Sequence, residues 1–545
     1  MSTRQTQSLP PPSAFGFPAS KFPTWREDQI IALDIILNAP TRFVGLNMPT
    51  GSGKTLAYMA ALILQGDHRR GVVLTHAKGL QDQLYQDFGG MGVLDIRGQR
   101  NYPCAALGEG GEFQHLADPT PGIVPTCDQG PCHAGLICSH KEGGGCGYYD
   151  NIRLGQFWRW ISTNYAAWLA QKRYVAGFGT PPDMLILDEA DIADEVLADS
   201  LTITIPKWEL HTVGIQTVPD GPSALLWRDW AKFHKARLGK KLEALGTPQS
   251  NSDLKTRRRL KHFERLLTSL AEIDYTAWVP CHDEHHWKFA TIRPSVFAEP
   301  HLFQGAKKVV LVSGTLTPKT FALLGIQPAQ VTFFQCPSRF NPRRRPVIHV
   351  PTCNVDNKMK AEHWDLWSTR INQIVGARPG VKGIIHTRSY KRRDVILARA
   401  DQAHASRMFS HGDKDLAKRV EIFKGTPSPL VLVSPSIVTG WNFPHDQCRF
   451  QIIAKLPFPD TRDPVIKARV EMDPEYLYHL TMRDLVQSVG RGMRDPLDWC
   501  ETLVIDNHFK WFMAKYRHLA PQWFVQAVVY AQTIPKPLGS LLTTL

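Results

Sequence analysis

Short runs of Val, Ile and Leu alternate along this chain with stretches whose apolar residues recur every three or four positions. Continuous apolar runs of about four to six residues suit strands covered on both faces, and the intervening periodicity suits helices with one buried stripe. The alternation falls into two blocks. The first holds strand-like runs at 43–47, 71–75, 184–187 and 308–313, the second at 347–350, 383–386, 430–434, 449–454 and 502–506. The pattern predicts an α/β chain with two parallel sheets. Two stretches interrupt the first block. One, from about 101 to 150, is rich in Cys and Gly and too poor in periodic apolar residues to pack by itself; the other, from about 201 to 299, reads as helical, basic and aromatic.

The 545 residues leave room for about three to four domains. A chain with 43% hydrophobic and 21% charged residues has the balance of a soluble globular protein, which excludes global disorder. Lys and Arg number 64 against 50 Asp and Glu, and the net charge of +14 favours a polyanionic partner. No apolar run approaches the ~18 residues of a membrane span; the longest, at 56–64, is the body of a helix. Residues 1–19 are rich in Ser, Pro and Gln and lack the apolar centre of a signal peptide. They read as a loose tail, and the chain is expected in the cytoplasm, away from membranes.

Candidate chemistry begins where the run at 43–47 leads into Met48-Pro49-Thr50-Gly51-Ser52-Gly53-Lys54-Thr55, followed by the helical pattern at 56–64. Strand, glycine loop and helix together are the context in which a P-loop works. Gly51 and Gly53 let backbone N–H groups turn inward around phosphate oxygens, and the helix N-terminus adds partial positive charge. Lys54 is expected to reach the β- and γ-phosphates of ATP and the Thr55 hydroxyl to hold Mg²⁺, with Pro49, Thr50 and Ser52 completing the cradle. Met48 stands where the general pattern has its first glycine.

The run at 184–187 ends in Asp188-Glu189-Ala190-Asp191, which spells a DEAD box. Beside a P-loop, Asp188 is expected to share the Mg²⁺ and Glu189 to act as the base that polarises the attacking water. Late in the chain Gln487 precedes Arg491 and Arg494, two arginines one helical turn apart on one face. That spacing suits guanidinium groups directed at a γ-phosphate from a second domain.

Taken in order, these segments resemble superfamily 2 helicases, specifically the iron–sulfur XPD/DinG family. Trp25-Arg26-Glu27-Asp28-Gln29 looks like the family's adenine-side motif, which would assign Arg26 and Gln29 to the nucleotide. Thr75-His76-Ala77-Lys78-Gly79-Leu80-Gln81-Asp82-Gln83 resembles motif Ia, and Ser313-Gly314-Thr315-Leu316-Thr317-Pro318 resembles motif III. Gly383-Ile384-Ile385-His386-Thr387-Arg388-Ser389-Tyr390 is similar to motif IV. Ser434-Pro435-Ser436 with Gly440-Trp441-Asn442-Phe443 is similar to motif V, which would place Gly440 at the nucleotide. The likeness departs at Asp191, where the family often has His, and at Asn442, where it often has an acid.

The resemblance implies two RecA-like motor domains. The first covers 21–100, 151–200 and 301–345, and the second 346–545, after a flexible tail at 1–20. It further implies an iron–sulfur domain at 101–150 and an arch-like helical insertion at 201–300.

Five of the ten cysteines crowd together: Cys104, Cys127, Cys132, Cys138 and Cys146. A cluster of this kind in a large chain points to metal rather than to a disulfide framework. Thiolates favour both iron–sulfur clusters and tetrahedral zinc, and spacing alone does not separate them. The resemblance implies a [4Fe-4S] cluster with Cys104 as its first ligand and Cys146 as its last. Five candidates for four places leave one spare, Cys127 or Cys138. A second knot, Cys281-His282-Asp283-Glu284-His285-His286, has a single cysteine and crowded spacing, and reads as an exposed polar loop.

Between Arg228 and Arg265 twelve basic residues stand against four acids, a patch that can neutralise phosphates without sequence preference. Arg257, Arg258 and Arg259 are its densest run, and Arg343, Arg344 and Arg345 are a further candidate contact. By its position the patch resembles the family's arch domain. Among Tyr148, Tyr149, Phe157, Trp158, Trp160 and Trp168, one or two are expected to stack on bases and the rest to be core. The reading is an ATP-dependent DNA helicase moving 5′→3′ on single-stranded DNA, the polarity coming from the resemblance. It is expected to open forked or tailed duplexes and to work as a monomer. RNA or hybrid unwinding and an ATP-gated clamp stay open as alternatives, since reading the sugar 2′-OH leaves no mark in the sequence.

Overall fold

The computed structural model describes residues 9–49, 51–66, 68–174, 178–221, 223–274, 276–412, 414–437, 441–493 and 497–542. The first strands are β1 (Phe43–Asn47), β2 (Gly71–Thr75), β3 (Val93–Asp95), β4 (Trp160–Asn164) and β5 (Met184–Asp188). Next come β6 (Ile203–Pro206), β7 (Trp278–Pro280) and β8 (His286–Thr291), then β9 (Lys308–Ser313) and β10 (Val331–Gln335). The later strands are β11 (Val347–Cys353), β12 (Gly383–His386), β13 (Met408–Phe409), β14 (Val431–Ser434), β15 (Phe450–Ile453), β16 (Glu501–Asp506) and β17 (Val528–Tyr530).

Two parallel seven-stranded sheets result, ordered β10-β1-β9-β5-β2-β4-β3 and β13-β14-β12-β15-β16-β11-β17, each a RecA-like α/β domain. All nine predicted runs are strands of these sheets. The unpredicted ones are short or partly polar, like the half-buried edge strand β10 and the polar Ser162 and Thr163 of β4. Every residue of β1, β2 and β5 is buried, which is why they read as unbroken apolar runs. In the first sheet β9 lies between β1 and β5, so the loops that follow these three strands meet at one carboxyl edge. That edge is where open parallel sheets bind ligands.

The stretch expected to be helical between 201 and 299 does contain two long helices, Ala224–Ala244 and Asn251–Ala271, packed together. It also contains an antiparallel sheet, β6-β8-β7, whose short strands carry no clear alternation in the sequence. The Cys281–His286 region is the turn joining β7 to β8, and it is not a polar loop throughout: His282 packs among Trp227, Trp287 and Phe289. The Cys/Gly-rich stretch holds only short turns and helices, and its buried cysteines share one apolar core with the two long helices.

The start of the chain departs from the loose tail expected of it. Residues 1–8 lie outside the described part, but Phe17 is 2% exposed and packs edge-on against Phe22, Trp25 and Phe88, while Trp25 Nε1 donates to the carbonyl of Pro10 at 2.7 Å. Three aromatic partners supply the burial that a Ser/Pro-rich composition conceals. In the second domain Arg378 and Glu501 form a buried two-pronged pair at 2.8 and 2.9 Å. No helix among the described residues is long and apolar enough to cross a membrane.

Candidate nucleotide cleft and cysteine lobe

The loop after β1 turns through two left-handed glycines, Gly51 (φ 82°) and Gly53 (φ 74°), before the helix Lys54–Leu64. The left-handed backbone disfavours any side chain at Gly53, and a Cβ there, 2.2 Å from Gln29 Nε2, would also push the Gln29 amide away. Arg26 and Gln29 brace this loop from behind. Arg26 Nη1 donates to Gly51 O at 2.6 Å and Gln29 Nε2 to Gly53 O at 3.1 Å, while the Arg26 backbone N–H donates to Gln29 Oε1. Both residues expected at the nucleotide therefore hold the shape of the loop that would cradle its phosphates.

Lys54 Nζ pairs with Asp188 Oδ1 at 2.8 Å, joining the ends of β1 and β5. Burial works to lower the Lys54 pKa, but Asp188, Glu189 and Asp191 more than reverse it, so the ammonium is held charged. Asp188 also accepts from Tyr58 Oη at 3.1 Å, and its backbone carbonyl accepts from Tyr165 Oη at 3.0 Å. Thr55 stands next to Lys54 on the helix, within one turn of Tyr58. Glu189 follows in a left-handed conformation (φ 54°), its N–H bonded to Asp188 Oδ1 at 2.9 Å. For a residue other than glycine this costs about 1–3 kcal/mol, the kind of strain that concentrates at functional sites. Burial raises the Glu189 pKa, with Asp188 and Asp191 adding to it against Lys54 and Arg491.

Asp191 is the hub of the cleft. It is buried and accepts from Ser313 Oγ and Thr315 Oγ1, both at 2.5 Å, and from Gln487 Nε2 at 2.6 Å. The first two lie at the end of β9 and the third on helix Tyr476–Val489 of the second domain, so one carboxylate ties both domains together. Arg483, one turn before Gln487, pairs with Glu195 at 3.0 Å and donates to Asp191 O at 3.4 Å. Sequence reasoning missed Arg483; its place four residues before Gln487, on the same helical face, is the signal that points to it. Arg491 donates to Trp441 O at 3.1 Å, and its pKa is lowered by burial against the pull of Glu189 and Asp191, two acids of the cleft. Thr50, Gly440 and Arg494 lie outside the described residues.

In the cysteine lobe, Cys127 Sγ lies 3.7 Å from Cys146 Sγ and 3.3 Å from Pro103 O. A Cβ at Gly130 would come within 3.2 Å of Cys104 Sγ and 3.5 Å of Cys132 Sγ, so those two sulfurs flank the same backbone turn. Hydrogen bonding from Cys127 lowers the Cys104 thiol to about 7 and the Cys146 thiol to about 6, while Cys127 itself is pushed up. Burial raises the Cys138 thiol to about 11, with Glu112 as its side-chain partner and Cys132 adding to the shift. Among the described residues no three His, Cys, Asp or Glu side chains form a cage for a single metal ion.

The arginines expected to form a phosphate-binding patch are largely spent on protein. Arg257 donates to Ala134 O and Gly246 O, Arg258 to Gln129 O, and Arg265 to His133 O. In the other basic run Arg344 donates to Leu497 O, and Arg345 is buried against Phe340 and Trp523. Charge counted along a sequence misses carbonyl partners contributed by other segments. Of the candidate stacking aromatics, Trp168 is buried and donates to Leu302 O, whereas Phe157 is 88% exposed and Trp158 39% exposed.

Residues 371–527 match the family model described as helicase C-terminal domain, and residues 26–103 the model described as DEAD/DEAH box helicase. No curated protein sequence matches the chain. Among solved structures the chain is similar to one named XPD helicase (TM-score 0.60, 15% identity, covering 93% of this chain and 100% of that one). It is similar also to S. tokodaii Xpd4 (TM-score 0.56, 14% identity, 93% and 100% covered) and to an apo XPD (TM-score 0.55, 12% identity, 93% and 100% covered). The two family matches support a nucleic-acid helicase with an ATPase core, and the fold is one the chain shares with XPD helicases. The tetrapeptide at 188–191 lies outside the residues that match the DEAD/DEAH model, 26–103, and a DEAD-box class assignment conflicts in part with the XPD-type fold, so that label describes four residues and not the protein.

Proposed function

We propose that this protein is an ATP-dependent DNA helicase that moves 5′→3′ along single-stranded DNA and opens tailed or forked duplexes. The observation that carries the reading is the Gln487–Asp191 bond at 2.6 Å, which links the second domain to the tetrapeptide that also supplies Asp188 and Glu189. A nucleotide held between Lys54 on one side and Arg491 on the other would feel any movement of one domain against its partner. In this reading Lys54 binds the β- and γ-phosphates, Glu189 orients the attacking water, and Arg491 with Arg494 faces the γ-phosphate. Thr55 and Asp188 are hard oxygen donors suited to Mg²⁺, which would neutralise phosphate charge. Such a motor has both halves of its site on one chain and works as a monomer, and we place it in the cytoplasm.

The cysteine lobe fits an iron–sulfur cluster by the chemistry of its donors. Cys104, Cys127, Cys132 and Cys146 converge around the turns at 102–104 and 127–132, and Cys138 is the spare. Thiolates suit iron–sulfur clusters and zinc alike, and the choice of iron–sulfur rests on the likeness to the iron–sulfur helicases. When bound, the cluster would supply a rigid cross-link to a lobe with little regular structure. Exposed Lys232, Arg237 and Lys240 beside exposed Phe233 on helix Ala224–Ala244, with Phe157 and Trp158, are the groups offered to a strand.

The test is a directional unwinding assay on tailed duplexes, DNA and RNA side by side, with protein purified without oxygen. Displacement from a 5′-tailed DNA duplex is the expected result. Displacement confined to RNA or 3′-tailed substrates refutes the substrate or the polarity, and phosphate release with no strand displacement leaves an ATP-gated clamp instead.

A further inference from the structure

The second arch helix, Asn251–Ala271, lies along the cysteine turns with donors at regular helical spacing. Arg258 Nη1 donates to Gln129 O at 2.9 Å, Arg265 Nη2 to His133 O at 2.8 Å, and Arg257 Nε to Ala134 O at 3.1 Å. These carbonyls follow Cys127 and bracket Cys132 in the chain. Nearer the helix start, Asn251 Nδ2 donates to Leu116 O at 2.6 Å, and Lys255 Nζ pairs with Asp118 at 3.1 Å. The turns they hold are two short 3₁₀ segments, Cys127–Gln129 and Pro131–Ala134, which lack any strand ladder to fix them. Backbone groups without a ladder need partners from elsewhere, and side chains that orient ligand-bearing backbone act on a metal site from its second layer.

We propose that helix Asn251–Ala271 is the clamp of the cysteine site, with Arg257, Arg258 and Arg265 as positioning residues that hold the turns carrying Cys127 and Cys132. The inference rests on the metal-site reading only for what the turns carry; the clamping itself belongs to the metal-free chain as well.

Hydrogen–deuterium exchange on the full chain tests it, in chelator-treated and iron-reconstituted protein. Wild type is compared with Arg258→Gln/Arg265→Gln and Arg257→Gln, and the exposed neighbour Arg259→Gln is the control. Amides of 127–136 are expected to exchange about tenfold faster in the first two variants in both metal states, with faster loss of iron to chelator. Helix Lys54–Leu64 reports whether each variant is folded; if the double variant is not, Arg258→Lys, which keeps the charge and loses the fork, carries the same test. Unchanged exchange at 127–136 overturns the clamp. So does loss of single-stranded DNA affinity with no change in exchange, which would make the helix a polyanion surface. A colourless wild type whose variants still exchange faster sinks the iron reading and leaves the clamp standing.

Discussion

The first-domain wall of the nucleotide cleft and the cysteine lobe interrupting that domain are held by opposite means. Cleft residues sit at the ends of β1, β5 and β9, neighbours in a sheet paired residue by residue. Between 101 and 150 the described residues contribute no strand, only one isolated bridge from Pro103 to Thr126, and carbonyls of the lobe are held by side chains more than a hundred residues later in the chain. The difference teaches where each region is vulnerable. The cleft keeps its shape when a side chain changes and loses chemistry; the lobe keeps its chemistry only while each tether holds its shape.

The contrast breaks most visibly at Lys54. Lys54→Ala removes the cation of the phosphate loop, and ATP turnover measured by phosphate release is expected to fall on the order of 100- to 1,000-fold, with salt-sensitive nucleic-acid binding retained. Retained turnover would dismiss the site. Next is Gln487→Ala, which removes a hydrogen bond to a buried carboxylate worth about 1.5–3 kcal/mol. Turnover is expected to drop about tenfold or more while the melting temperature falls by only a few degrees; a fall in melting temperature with turnover per folded molecule unchanged would make the bond merely structural.

The lobe is sharpened by a pair of substitutions. Cys146→Ser is expected to lose iron and to weaken strand displacement about tenfold, well beyond its effect on ATP turnover, whereas Cys138→Ser keeps the iron content of wild type. Equal losses in both would return Cys138 to the ligand set. The smallest effect concerns pH. Burial raises the Glu189 pKa from its ordinary value, so protonation of the base, and loss of turnover, is expected to begin at a higher pH than for a free glutamate as pH falls. Asp191→Asn removes one negative neighbour and should move the acid limb of the profile downward, normalised to its own maximum. An upward or absent shift would show that Glu189 is not the titrating group.

Much of the cleft was legible because its parts are contiguous: a buried strand, a loop and a helix in series identify Lys54, and an apolar run ending in acids identifies Asp188 and Glu189. The role of Arg26 and Gln29 was not, since their partners are loop carbonyls 25 and 24 residues away. Arg257, Arg258 and Arg345 misled for the same reason, because a sequence shows charge without showing what absorbs it. Cys127 and Cys138 are equivalent as residue types, and only the approach of Cys127 to Cys146 separates them. The missed strands β4 and β10 carry polar or half-exposed residues, so their periodicity is faint.

Asp191 collects its donors from residues 122 and 296 positions further along the chain as well as from Thr315. An imidazole at that place, as relatives often carry, offers a single accepting nitrogen, so two of the three donors would need a new home. The last letter of the tetrapeptide cannot drift alone. A graft of the histidine version onto this chain should run poorly until Ser313, Thr315 and Gln487 are exchanged with it, as one inherited set.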